Sequence, residues 1–69
     1  MKTSFFEADE FTGRKGEHHL TIESDYRWEK GDEVWLEASG GRFQMRITWV
    51  VMDVAGDGTV TRELLGLRL

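Results

Sequence analysis

The feature that most constrains this chain is the run Arg27-Trp28-Glu29-Lys30-Gly31-Asp32-Glu33-Val34-Trp35-Leu36-Glu37. Lys30-Gly31-Asp32 is turn chemistry, because glycine takes positive φ without steric cost and an aspartate side chain bonds its own backbone. The residues that follow alternate. Val34 and Leu36 point one way and Glu33, Trp35 and Glu37 the other, the period-two signature of a strand with one buried face. Such a strand needs partners, and the flanking segments read as those partners.

The chain has 69 residues, which is one domain over residues 1–69 and close to the lower limit for a core held by burial alone. There is no Cys, so neither a disulfide nor a thiolate-bound metal can staple the fold. Four Phe, three Trp and one Tyr must supply much of the core, each burying a large area. The hydrophobic content of 39% is that of a folded domain. The N-terminus carries Glu7, Asp9 and Glu10 and no long apolar run, so no signal peptide is read there. The longest apolar run, Trp49 to Met52, is far short of a membrane span. The expectation is a soluble, cytoplasmic monomer.

Charge is uneven. Residues 1–37 hold ten carboxylates against five basic groups, and residues 38–69 hold three against four. A stand-alone nucleic-acid binder carries the opposite balance. An acidic half suits a basic partner, although solubilising charge alone also accounts for it.

Ser4-Phe5-Phe6-Glu7 fits a capping box and predicts a short helix over about residues 5–12, ended by Gly13. Gly13-Arg14-Lys15-Gly16 is a basic loop. His18 to Glu23 reads as a strand with Leu20 and Ile22 on one face and His19, Thr21 and Glu23 on the other. After the strand at 33–38, Ser39-Gly40-Gly41 turns into a long strand over about 42–54. Both parities of that strand become apolar from Trp49 onward, which implies a bulge or cover on both sides. Ala55-Gly56-Asp57-Gly58 is a hairpin turn, and the last strand runs from about Thr59 to Leu69. Gly66 within it marks a bulge or a close backbone approach. The predicted fold class is α+β: a small, mostly antiparallel β-barrel of about four strands with one short N-terminal helix.

Three pieces in order carry a resemblance. They are Phe6-Glu7-Ala8 leading to Gly13-Arg14-Lys15, then Trp28 to Glu37, then Arg46-Ile47-Thr48-Trp49-Val50 with a terminal Leu65-Gly66-Leu67. Over residues 5–69 this resembles the ASCH superfamily, with its PUA-like β-barrel fold, and is most similar to the short branch common in phages and mobile elements. The resemblance implies RNA-related roles, and one branch contains amidohydrolases that act on acylated cytidine through a Lys, a Thr and a Glu. Lys15 matches the Lys. Thr21 matches the Thr once Gly16-Glu17-His18 are passed over, and the Glu belongs to a helical region this chain lacks. Glu23 stands where the family usually has an Arg.

Lys15 with Thr21 is therefore the one catalytic pair to test, since a desolvated Lys beside a Thr hydroxyl can activate it. An exposed loop Lys and a strand Thr is the expected state. His18 and His19 are adjacent in a strand and point to opposite faces, so they do not share an ion. No metal or other cofactor is implied. Trp35 is either a binding anchor or covered by the helix or a loop, and burial is expected; Trp28 and Trp49 are assigned to the core. Arg42, Gln44, Arg46 and Thr48 form a polar stripe. With Arg14 and Lys15 it would make a phosphate-contacting groove, but balance by Glu33 and Glu37 across the hairpin is the preferred reading.

These observations favour a non-enzymatic interaction protein whose acidic residues and aromatic, Glu7, Asp9, Glu10, Glu29, Asp32, Glu33, Trp35 and Glu37, occupy a basic nucleic-acid-binding surface on a partner. The concrete version is a nucleic-acid mimic of the anti-CRISPR kind acting on a CRISPR effector complex. The alternatives are an RNA-binding module using Arg14, Lys15, Arg42 and Arg46, and the acylated-cytidine amidohydrolase.

Overall fold

A computed structural model describes residues 1–38 and 40–69. Every regular element in it is a strand: β1 Lys2–Ala8, β2 Lys15–Glu23, β3 Glu33–Ala38, β4 Gly41–Val54 and β5 Val60–Arg68. They form one curled sheet in the order β2-β1-β5-β4-β3, a half-barrel. Three of the pairings are antiparallel, and β1 runs parallel to β5. The architecture is thus all-β with five strands, and the expected α+β class with four strands and an N-terminal helix is corrected. No helix long and apolar enough to cross a membrane is present among the described residues.

The segment predicted as a helix is β1 and the turn after it. Thr3 and Phe5 are buried while Lys2 is exposed, a period of two that the capping box concealed. β1 lies between β2 and β5, so both of its edges are paired, which two isolated helical turns cannot match. The capping chemistry is real but belongs to Asp9. Its Oδ1 accepts from the backbone N–H of Phe11 and of Thr12, each at 2.8 Å, and closes a single turn that leaves Phe11 90% exposed.

The turn before β3 forms as its sequence demands. Gly31 has φ 98°. Asp32 Oδ2 accepts from the N–H of Glu29 at 2.8 Å. The turn is then tied to β4, Gly31 N–H donating to the Ile47 carbonyl at 2.7 Å and Ile47 N–H to the Asp32 carbonyl at 2.8 Å. The second hairpin has Gly58 at φ 91° and Thr59 N–H on Asp57 Oδ1 at 2.8 Å. Of the turn expected at Ser39-Gly40-Gly41, Ser39 lies outside the described residues.

Phe5, Leu36, Met45, Ile47 and Leu64 form the buried cluster on the inner face, with Leu20, Ile22, Trp28, Val34, Phe43 and Val50 packed around it. Polar residues close both ends. At one, Arg62 is only 7% exposed; its Nε and Nη2 donate to Thr3 Oγ1 at 3.2 and 2.9 Å, and its guanidinium sits 5.1 Å from the Trp28 ring centroid. At the other, Arg68 lies 4.0 Å over Phe43 and reaches Glu7 Oε1 at 3.4 Å. Glu7 Oε1 also meets Nε2 of His19, whose side chain is fully buried, at 3.0 Å.

Two bulges decide which residues face inward. In β4 the register shifts between Ile47 and Trp49, which puts Val50 on the core and turns Trp49 outward, 57% exposed. The assignment of Trp49 to the core is corrected accordingly. In β2 the register shifts twice against β1. Phe5 pairs with Leu20 and Phe6 with His18, so His19 is an extra residue and turns inward, against the expectation that it shares the outer face with Thr21. Gly66 pairs with Ile47 beside the β4 bulge, and it is a close approach: a Cβ there would lie 2.7 Å from the Arg46 carbonyl oxygen and 2.5 Å from Met45 Cγ.

Candidate functional site

The sheet is a single layer, so among the described residues no other element packs on its outer face, where side chains cover only one another and leave Leu65 5% exposed. Two rows can be read from the register. Thr21, Ser4, Glu63 and Val51 stand side by side across four strands, and His18, Phe6, Leu65 and Trp49 form the next row. Further along, Arg46 pairs with Glu33, Gln44 with Trp35 and Arg42 with Glu37.

The outer residues of β3 and β4 interlock. Arg46 Nη2 donates to Glu33 Oε2 at 2.8 Å and Gln44 Nε2 to Glu33 Oε1 at 3.2 Å. Arg42 stacks 4.5 Å from the Trp35 ring centroid. Trp35 remains 56% exposed. The expected burial of Trp35 is corrected: the helix that was to cover it does not exist, and no loop takes its place among the described contacts. Glu37 and Glu29 are exposed carboxylates with no ion pair among the described residues.

Most of the other acidic residues are spent locally. Glu7 binds His19 and Arg68. Asp9 and Asp32 hold turns. The N–H donors of Thr12 and Phe11 keep the Asp9 carboxyl below its ordinary 3.8, and the Thr59 N–H does the same for Asp57. Glu10 is exposed in the β1–β2 turn. The eight residues named from sequence therefore divide. Glu29, Asp32, Glu33, Trp35 and Glu37 share the turn and edge strand β3, whereas Glu7, Asp9 and Glu10 sit at the end of β1, whose Glu7 pairs with Gly66 and through it with Ile47.

Lys15 and Thr21 are on one face but are not joined. Lys15 Nζ lies 2.9 Å from Glu63 Oε2 and 4.8 Å from the Phe6 ring centroid. Thr21 Oγ1 instead meets Ser4 Oγ and His18 Nε2, both at 2.8 Å. The β2 bulge brings His18 and Thr21 to the same side. Sequence reasoning missed Ser4, His18 and Glu63 because nothing local announces that bulge. A hydroxyl beside an imidazole is half of a nucleophilic site. Here the group is exposed, and among the described residues the His18 ring packs on Phe6 and has no carboxylate hydrogen-bonded to it.

Of the four basic residues of the RNA alternative, Lys15 and Arg46 are neutralised by Glu63 and Glu33, Arg42 lies on Trp35, and Arg14 is exposed in the β1–β2 turn. Among the described residues no group of three His, Asp or Glu is arranged to hold a metal ion. His18 and His19 point to opposite faces, His18 exposed and His19 buried. No family model, no curated protein and no solved structure matches the chain.

Proposed function

We propose that the protein is a non-enzymatic interaction module that applies its acidic turn and edge strand, Glu29 to Glu37, to a basic surface of a protein partner, such as one that binds nucleic acid. The observation that carries this reading is Trp35: an aromatic ring 56% exposed on an uncovered face, flanked along its strand by Glu33 and Glu37. Exposed tryptophans are favoured interface anchors, and a rim of carboxylates selects a basic partner and speeds the encounter. On its outer side the site is an open surface, with Glu33, Trp35 and Glu37 all exposed. RNA is disfavoured because Lys15 and Arg46 already face carboxylates and Arg42 lies against the Trp35 ring.

The test is a pull-down from lysate with the tagged protein, with and without nuclease, comparing the natural sequence with Glu33→Lys/Glu37→Lys and with Trp35→Ala. A protein partner retained after nuclease, weakened as salt rises and lost from both variants supports the reading. Recovery of RNA that nuclease removes, or a partner indifferent to both variants, overturns it.

A further inference from the structure

We infer that the free edge of β3 is a strand-addition site, taking an extended segment of the partner antiparallel to β3 with Lys or Arg opposite Glu33 and Glu37 and apolar residues between them. The inference rests on the reading above and specifies its geometry.

The sheet has two open edges, β2 and β3. They differ in quality. β2 is broken by two register shifts, the usual way in which an edge is made unfit for pairing. β3 pairs with β4 in unbroken register from Glu33 to Ala38, so its far side is a regular template.

The direction of its unpaired groups follows from β4. Ile47 turns its N–H and C=O toward the β3 side, to Asp32 and Gly31, while Gln44 turns its C=O the other way, to Leu69 N–H. Alternation along β4 therefore aims Phe43 and Met45 at β3, and their partners Leu36 and Val34 back at β4. The N–H and C=O groups of Glu33, Trp35 and Glu37 are left pointing off the edge. An added strand meets these groups with its own backbone, as in other strand-addition complexes.

Side chains set what the strand must carry. On the outer face it passes Glu33, Trp35 and Glu37, which calls for cation, apolar, cation. On the inner face it borders a cleft of about 430 Å³ whose walls include Leu20 and Ile22 of β2, Trp28, and Val34 and Leu36 of β3. That cleft spans the gap between the two edges, so the alternate residues of the occupant must be apolar. A second copy of this chain does not fit. Antiparallel pairing of two β3 strands about Trp35 sets each Glu33 opposite a Glu37, and like charges directly opposite destabilise a pair.

The experiment uses the intact protein and a synthetic peptide, Thr-Lys-Ile-Val-Ile-Lys-Thr, with binding read by calorimetry and by exchange of individual backbone amides. N-methylation of the two Lys and the Val blocks the donors that face β3; N-methylation of the two Ile leaves them free. The expected result is at least a tenfold rise in Kd for the first and less than a twofold change for the second, with slowed exchange at Trp35 and Glu37. Glu33→Lys/Glu37→Lys weakens the Lys peptide and strengthens a version with Glu in place of Lys. Equal effects of the two methylation patterns with the peptide still bound overturn strand addition and leave the interaction reading intact. Absence of binding overturns strand addition as well, and the interaction reading then stands or falls on the pull-down alone.

Discussion

Gly66→Ala tests how tightly β5 is pressed against β4. The backbone of Gly66 does not have positive φ, so alanine fits it, and removing a glycine stiffens the unfolded chain, a gain of about 0.4–1 kcal/mol. Against this, the new methyl falls 2.5 and 2.8 Å from Met45 Cγ and Cε and 2.7 Å from the Arg46 carbonyl oxygen. Met45 is fully buried and the carbonyl is backbone, so neither contact is relieved by swinging a free side-chain end. Overfilling of this kind costs roughly 1–3 kcal/mol or somewhat more, which outweighs the entropic gain. A net loss of about 1–2 kcal/mol is expected. A chain of this length has on the order of 3–10 kcal/mol in total, and each kcal/mol moves its Tm by about 4–8 °C. Thermal unfolding followed by circular dichroism is then expected to show a fall of about 5–15 °C. Gly56→Ala is the control, because its Cβ would meet nothing within 4 Å and its φ is not positive; it is expected to leave Tm unchanged or raise it. If Gly66→Ala matches Gly56→Ala, the close approach at the β4 bulge is wrong.

Thr3→Val keeps the shape of a buried side chain but strips two guanidinium donors of Arg62 of their acceptor, and urea unfolding is expected to show a loss of about 1–3 kcal/mol. Trp35→Ala and Trp49→Ala remove exposed rings and are expected to shift stability by no more than about 0.5 kcal/mol, so a binding defect in Trp35→Ala reports on the interface and not on folding. The Asp9 and Asp57 carboxyls sit below their ordinary 3.8 in the folded state. Their stabilising contribution is therefore complete above that value and is lost as pH falls below it. The drop in urea midpoint between pH 7 and pH 3 should be smaller in Asp9→Asn/Asp57→Asn, and an equal drop would show that other carboxylates govern the acid limb.

Where turn chemistry and alternation coincide, the sequence is a good guide. β3 begins and ends at the expected residues, and β4 and β5 fall within a residue or so of theirs, because Lys30-Gly31-Asp32 and Gly56-Asp57-Gly58 mark the joints. β1 is a strand and not the expected helix because Ser4-x-x-Glu7 is a statement about local hydrogen bonds, whereas the strand is decided by partners at Thr21 and Glu63 far along the chain. The bulges in β2 and β4 are equally silent, and each inverts the side-chain parity beyond it. That inversion buried His19, exposed Trp49 and joined His18 to Thr21. The candidate site was legible where it lies on one regular strand, Glu33-Trp35-Glu37. Glu7, Asp9 and Glu10 share only their charge with it: the Glu7 and Asp9 carboxylates are taken up by neighbouring donors, and Glu10 is exposed in the turn.

The parallel pairing of β1 with β5 also fixes the order in which the molecule can assemble. β1 with β2, and β3 with β4 and β5, are runs of neighbours that can associate as soon as they are made. The β1–β2 pair is too small to persist alone, and the three-stranded unit lacks Phe5, which β1 brings to the buried cluster. They meet only where Lys2 finds Thr61 and Glu7 finds Gly66, contacts that span nearly the whole chain. On a ribosome, then, β1 waits for β5. Folding should be slow for a protein of this size, and the apolar strip of β1 stays open to chaperones until β5 emerges.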